Sequence, residues 1–224
     1  MRYYIADLHF FHANMNYEMD MRGFENAEQM NEYMIKQWNG RVRKNDEVMI
    51  LGDFSIGKGE ETMEVLKRLN GAKFLITGNH DRFLEDKKFD TKLFRWIKPY
   101  EEVKDDKRKV ILSHYPIFCY NGQYRLDKNG NPKTYMLYGH VHNTHDERLV
   151  NRFCEITKET LAFSKGEQAE KPIPCQMINC FCMFSDYVPL TLTEWIKVDA
   201  ERRKKMNAGE PAVTGTVGIS ETDL

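Results

Sequence analysis

Three short apolar runs near the start of the chain are separated by two segments of helical periodicity, and this alternation constrains the fold more than any single residue does. Residues 2–6 read as an opening strand. In residues 27–38, Met30, Tyr33, Met34 and Trp38 recur at helical spacing, with Asn26 as N-cap and Gly40 as stop. Residues 47–51 (Glu-Val-Met-Ile-Leu) are a compact run of the kind buried strands use. A second helix is expected over 60–69, with Met63, Leu66 and Leu69 on one face and Gly71 closing it, before a third strand at 73–77. Strand, helix, strand, helix, strand is the pattern of an α/β fold with a parallel core. Further strands are expected at 109–113, 135–138 and 176–183, with turn chemistry at 127–132 and an exposed loop over 164–174.

A chain of 224 residues with 41% hydrophobic content suits one domain, expected over residues 1–198, followed by a polar, flexible tail at 199–224. Charged residues make up 30%, but the signs nearly cancel to a net charge of -1, which gives no global electrostatic reason to expect a DNA or RNA partner. Five cysteines (Cys119, Cys154, Cys175, Cys180, Cys182) are an odd number in a chain of ordinary size. A disulfide framework is therefore not expected, and Cys180 and Cys182, in an apolar run without a partner pair at zinc-ribbon spacing, read as small buried hydrophobes. The N-terminus meets Asp7 too early for a signal peptide, and no run reaches membrane-spanning length. The expectation is a soluble, cytoplasmic protein; nothing in the sequence fixes its oligomeric state.

The informative polar residues fall at the strand ends. Asp7 and His9 close the first strand, Gly52-Asp53 follows the second, and Gly78-Asn79-His80-Asp81 follows the third. His114 and Gly139-His140-Val141-His142 end the next two. Open α/β sheets bind ligands outside the carboxyl ends of their strands, so the five segments should meet. Residues two apart in an extended chain share a face, which would bring Asp7 and His9 together. The glycines before Asp53, Asn79 and His140 would let the backbone turn sharply and approach an ion. Carboxylate, amide oxygen and imidazole suit Mn²⁺, Fe or Zn²⁺, with no thiolate required. Seven candidates (Asp7, His9, Asp53, Asn79, His114, His140, His142) exceed one tetrahedral ion but suit two ions sharing a carboxylate.

Singly, a strand-end Asp or Asn is more often a turn residue, and His114 could be a satisfied core histidine. As an ordered set, Asp7-x-His9, Gly52-Asp53, Gly78-Asn79-His80-Asp81, His114 and Gly139-His140-x-His142 resemble the five motifs of the calcineurin-like metallophosphoesterase superfamily. The resemblance implies two facing β-sheets flanked by helices. It places Asp7, His9, Asp53 and His142 on one metal and Asp53, Asn79, His114 and His140 on the other, with Asp53 bridging and His80 facing substrate. The second motif continues as Phe54-Ser55-Ile56-Gly57, without the Asp and Arg of the Ser/Thr protein phosphatases. The chain is thus more similar to small bacterial and phage phosphoesterases.

The expected chemistry is in-line hydrolysis of a phosphate ester by a metal-activated hydroxide, with Mn²⁺ the first candidate, His80 protonating the leaving oxygen and Asp81 orienting His80. The expected substrate is a small phosphorylated molecule. A phosphodiester, either a cyclic nucleotide or a nucleic-acid end, is the alternative, and a non-catalytic scaffold on the same fold is a third reading. His12 lies where it could contact substrate or solvent, Arg82 and Arg125 could contact phosphate, and His145 reads as a surface residue. Phe118, Tyr120 and Tyr124 read first as core, with base stacking or a partner contact as alternatives.

Overall fold

Tyr3 and Ile5 point to one side of the opening strand β1 (Arg2–Ile5) and Tyr4 points to the other, and this alternation sorts the core into layers. The computed structural model describes residues 1–164 and 168–207. Helix α1 (Ala27–Arg41), β2 (Glu47–Ile50), α2 (Gly59–Arg68), β3 (Ala72–Ile76) and β4 (Phe94–Lys98) follow β1. The four strands form one parallel sheet in the order β1-β2-β3-β4, with α1 and α2 as crossovers. Asn26 caps α1 as expected, accepting from the Gln29 N–H at 2.8 Å. The helix runs one residue past Gly40, because Val42 rather than the glycine leaves helical geometry.

The second sheet begins with β5 (Tyr100–Asp105) and β6 (Arg108–Ser113), an antiparallel pair joined by a two-residue turn. Asp106 and Lys107 in that turn both take positive φ, 44° and 66°, as a tight hairpin requires. Strands β7 (Thr134–Tyr138) and β10 (Met177–Asn179) add in parallel, giving the order β10-β7-β6-β5. Between them lie α3 (His145–Glu159) and an exposed hairpin of β8 (Leu161–Ser164) and β9 (Ala169–Pro172), and α4 (Leu192–Asn207) ends the described chain.

The two sheets face each other. Tyr4, Ala6, Met49, Leu51 and Ile76 of the first pack against Val110, Leu112, Leu137 and Ile178 of the second, with Trp195 of α4 sealing the layer. The outer face of the first sheet is covered by α1 and α2, and Ile111, Met136 and Tyr138 on the outer face of the second meet Val150 and Cys154 of α3. This is the expected α/β architecture of two facing sheets flanked by helices.

Several expectations change. The strand expected over 176–183 is β10 alone and ends at Asn179, because Cys182–Ser185 form a 3₁₀ turn that leaves the sheet. The segment expected as a loop over 164–174 contains strand β9, paired with β8 across residues that lie outside the described ones. The polar segment from Asp199 is helical as far as Asn207 and its charges pair inward: Asp199 with Arg203 at 2.7 Å and Arg202 with the buried Glu147 at 3.0 Å. Residues 208–224 of the expected tail lie outside the described residues. Of the three aromatics read as core, only Tyr120 is buried, its hydroxyl donating to the Gln176 carbonyl at 2.9 Å, whereas Phe118 and Tyr124 are exposed. No described helix is long and apolar enough to cross a membrane.

Candidate metal centre

The parallel strands of both sheets deliver their carboxyl ends to the same edge of the sandwich, and the five polar segments meet there. Two clusters form: Asp7, His9 and His142, and beside them Asp53, His114 and His140. In the first, the Nε2 atoms of His9 and His142 face each other at 3.2 Å, and His142 Nε2 lies 3.8 Å from Asp7 Oδ1. In the second, His114 Nε2 lies 3.1 Å from Asn79 Oδ1. Asp53 joins them, its Oδ2 lying 3.5 Å from His9 Nε2 and 3.4 Å from His114 Nε2.

The backbone reaches this arrangement in a different way from that expected of extended chain. Asp7, His9, Asp53, His140 and His142 all sit in the left-handed region, at φ of 58°, 52°, 50°, 69° and 47°. Each such non-glycine residue costs about 1–2 kcal/mol, so five of them concentrate strain at one spot. The β1–β2 pairing carries on past the strands to hold them: the N–H groups of Asp7 and His9 donate to the carbonyls of Gly52 and Asp53 at 3.1 and 2.9 Å.

The motif glycines also act differently from expectation. Only Gly52 takes positive φ, at 89°. A Cβ on Gly78 would stand 2.2 Å from Asp53 Oδ1, one on Gly139 2.6 Å from Asp7 Oδ2, and one on Gly52 2.3 Å from His114 Nδ1. Each glycine clears space for a candidate ligand supplied by another segment.

Outer contacts aim the imidazoles. His114 Nδ1 donates to the Leu51 carbonyl at 2.8 Å and His142 Nδ1 to Asp20 Oδ1 at 2.7 Å, which turns both Nε2 atoms inward. Burial pushes the His114 imidazole down, but the Asp53 hydrogen bond and the charges of Asp7 and Asp53 outweigh it and raise it to about 9. Burial, then the charges of Arg22 and His142, hold His9 far below the ordinary histidine range. Burial pushes the Asp53 carboxyl up, yet the hydrogen bond and charge of His114 leave it below its ordinary value. For Asp7, burial dominates over the charges of His142 and His114 and raises it.

One oxygen tests whether an ion fits. Asp7 is fully buried, its Oδ1 accepts from the His140 N–H at 2.9 Å, and its Oδ2 has no hydrogen-bond partner. A buried carboxylate oxygen left bare is costly, and a cation beside it removes that cost. The donors are oxygen and imidazole nitrogen, and the nearest thiol, Cys182, is directed elsewhere, its Sγ donating to the Asp7 carbonyl at 3.1 Å. The residues present fit a pair of hard-to-borderline ions.

His80 stands at the rim with its ring centroid 5.3 Å from that of His9, while its N–H donates to Asp53 Oδ1 at 2.8 Å. His12 joins it, 5.3 Å from His9 and 6.2 Å from His80 between ring centroids. Asp81 differs from expectation: its carboxylate accepts from the N–H groups of Asp53, Phe54 and Gly78 at 3.1, 2.7 and 2.8 Å and makes no bond to the His80 ring. Asp81 therefore ties the second motif to the third, and burial raises its carboxyl to about 6. Arg82 is exposed and makes no side-chain hydrogen bond or ion pair among the described residues, Arg125 lies by the β5–β6 hairpin, and His145 is a surface residue paired with Asp146.

Sequence reasoning missed Asp20, Arg22 and Tyr115. Arg22 is buried and donates to the carbonyls of Asp7 and Leu8 at 2.9 and 2.7 Å and to Asp20. The Tyr115 ring lies 4.5 Å from that of His140, with its hydroxyl 3.4 Å from Asn79 Oδ1. Asp20 and Arg22 fall in a loop without periodicity. The position of Tyr115 directly after His114 was the one available signal.

The chain matches the family model of the calcineurin-like phosphoesterases over residues 3–182, and it belongs to that family. An uncharacterized protein of Methanocaldococcus jannaschii is 34% identical over 178 residues, covering 79% of this chain and 88% of the relative. The Gene 66 protein of Mycobacterium phage D29 is 29% identical over 165 residues, covering 63% of this chain and 78% of the relative. A crystal structure of a protein of unknown function from Aquifex aeolicus superposes with a TM-score of 0.58 at 22% identity, covering 88% of this chain and 98% of that one, which is a likeness of fold. Membership implies metal-dependent hydrolysis of phosphoesters, and the two residue clusters are candidates to hold the metal.

Proposed function

We propose that the protein is a hydrolase that cleaves a phosphate ester at a centre of two metal ions, held by Asp7, His9, Asp53 and His142 on one side and by Asp53, Asn79, His114 and His140 on the other. The observation that carries this reading is the position of Asp53 Oδ2, almost equidistant from His9 and His114 and thus available to both clusters. Mn²⁺ is the first candidate and Fe or Zn²⁺ the alternatives, because the donors are oxygen and imidazole. When bound, the ions supply Lewis-acid chemistry, lowering the pKa of water and offsetting charge on the phosphate oxygens.

The chain's own residues supply orientation and proton handling. The Leu51 carbonyl and Asp20 take up the Nδ1–H groups of His114 and His142, so that Nε2 is the nitrogen each ring turns to the centre. Asp81 holds the backbone of both carboxamide and carboxylate motifs in register. The His80 imidazole, which has no hydrogen-bond partner among the described residues, is placed to donate a proton to the leaving ester oxygen, and His12 stands beside it.

Hydrolysis of bis-p-nitrophenyl phosphate and p-nitrophenyl phosphate by metal-stripped protein, with Mn²⁺, Fe²⁺, Zn²⁺ or Mg²⁺ restored in turn, tests the reading. Metal-dependent release that disappears in Asp53→Ala is expected. Two tightly bound ions with no release from either ester would assign the centre to a scaffold and overturn it.

A further inference from the structure

The end of the second sheet remote from the metal centre carries a groove of ≈ 510 Å³ lined by six cationic side chains: Lys104, Lys107, Arg108, Lys109, Arg125 and Lys133. Lys109 is paired with Glu102 at 2.7 Å and Arg108 with Asp106 at 3.3 Å. No carboxylate among the described residues lies within salt-bridge distance of Lys104, Lys107, Arg125 or Lys133, and all four are exposed. Asp105, which the sequence places among these cations, is turned inward to accept from the Tyr4 hydroxyl at 2.8 Å. A chain with a net charge of -1 thus collects unpaired positive charge at one place.

The surroundings of the groove point toward the metals. A second cavity of ≈ 530 Å³, lined by residues 119, 120 and 122–125, shares Arg125 with the groove. Three exposed rings lie along the same segment, Tyr115 at 48%, Phe118 at 44% and Tyr124 at 42%, and the first touches His140 and Asn79. From Lys109 to His114 the chain follows β6, five residues at roughly 3.3 Å each, or about 16 Å. Exposed cations beside exposed aromatics are how proteins follow a single nucleic-acid strand, the cations meeting phosphates and the rings stacking on bases. A small anion calls instead for a few convergent, buried polar groups, and the four unpaired cations here are all on the surface.

We infer that this groove and the aromatic segment 115–124 bind a single strand of nucleic acid, so that its phosphodiester backbone runs from the hairpin end of the second sheet toward the metal centre. The inference rests on the phosphoesterase reading for what happens at the centre, and binding itself is independent of it.

The test is fluorescence anisotropy of a labelled, hydrolysis-resistant phosphorothioate strand of about 12 nucleotides, within the usual site sizes of ~4–16. The metal-loaded full chain is compared with Lys104→Gln/Lys107→Gln/Lys133→Gln over a range of salt. The triple variant should bind at least tenfold more weakly, and its slope of log affinity against log salt should be shallower by about 2, at roughly 0.7 per lost phosphate contact. Hydrolysis of bis-p-nitrophenyl phosphate should be unchanged in the variant, so a failed metal reading shows up separately as no turnover in the parent protein. Equal affinity and slope in parent and variant would overturn the inference. Displacement of the strand by an equal concentration of inorganic triphosphate would also overturn it, in favour of a small-anion pocket.

Discussion

Asp20 accepts from His142 Nδ1 at 2.7 Å through one oxygen and from Arg22 Nη2 at 2.9 Å through the other, so one carboxylate couples the last of the five strand-end motifs to the first. Arg22 completes the link by holding the Asp7 and Leu8 carbonyls. Burial pushes the Asp20 carboxyl up, and the His142 hydrogen bond and Arg22 charge outweigh it, keeping it ionised. Asp20→Ala removes the partner that fixes the His142 tautomer and leaves Arg22 short of a counter-charge. Metal affinity is expected to fall about 10–100-fold, the usual effect of losing such a partner. Asp20→Asn, which keeps an acceptor oxygen, should lose less. Titration of the stripped protein with Mn²⁺ checks both, and unchanged affinity in the Ala variant would show that Asp20 has no part in orienting His142.

The Gly78 Cα approaches the Asp53 backbone so closely that alanine there has no neighbour able to give way, since Asp53 N lies 2.3 Å from the added carbon. Gly78→Ala should displace Asp53, costing about 1–3 kcal/mol of stability and losing ions from both clusters. Gly40 in α1 is the control, because an added Cβ meets nothing within 4 Å. Gly40→Ala should raise stability by up to about 0.5–1 kcal/mol and leave metal content unchanged. Chemical denaturation together with metal analysis of the two variants separates local crowding from a general effect of alanine.

The layered fold was legible because Met30, Met34 and Trp38 repeat with the helix, while apolar runs such as 47–51 are too short to be anything but strands. The candidate ligands were legible because chain topology alone sends parallel strand ends to one edge. How they converge was hidden. Five left-handed residues and three glycines that avoid side chains from other segments are tertiary facts with no local pattern. Helix α3 went unseen because its buried face mixes Val150 and Cys154 with Glu147 and Asn151, and Glu147 is satisfied only once Tyr138, Asn179, Arg202 and Asn151 surround it. The cationic groove was hidden by its own carboxylates, Asp105 and Glu102, until folding turned one inward and paired the other.

His80 touches the candidate centre through its backbone, and its half-buried ring stands beside those of His9 and His12. His80→Ala should therefore retain both ions while reducing turnover by about 10²–10⁴-fold, the range for loss of a positioned general acid. The reduction should be larger for an alkyl ester than for p-nitrophenyl esters, whose leaving group needs no proton. Equal losses with both leaving groups would exclude proton donation by His80. His12→Ala, measured in parallel, tells whether the second rim histidine shares the work.

Glu194 sets the start of α4 and ties it to α1. Its Oε2 accepts from the Thr191 N–H and hydroxyl, both at 2.8 Å, Thr191 Oγ1 accepts from the Glu194 N–H at 3.3 Å, and its Oε1 meets Arg41 at 2.5 Å. This reciprocal cap matters because α4 carries Trp195 into the layer between the sheets. Burial pushes the Glu194 carboxyl up, but the Thr191 donors and Arg41 together hold it below its ordinary value. The folded state thus favours the carboxylate. Its contribution is complete above the unfolded pKa near 4.3 and is lost as pH falls through the lower folded value. Because the side chain is 36% exposed, solvent weakens the ion pair, and Glu194→Ala should cost only about 0.5–1 kcal/mol at neutral pH. In a chain of this size that corresponds to a fall in Tm of roughly 1–4 °C. The difference between parent and variant should shrink as pH drops from 6 toward 3, measured by thermal unfolding in the absence of metal. A difference that grows toward low pH would mean that the carboxylic acid, not the carboxylate, is the form the cap prefers.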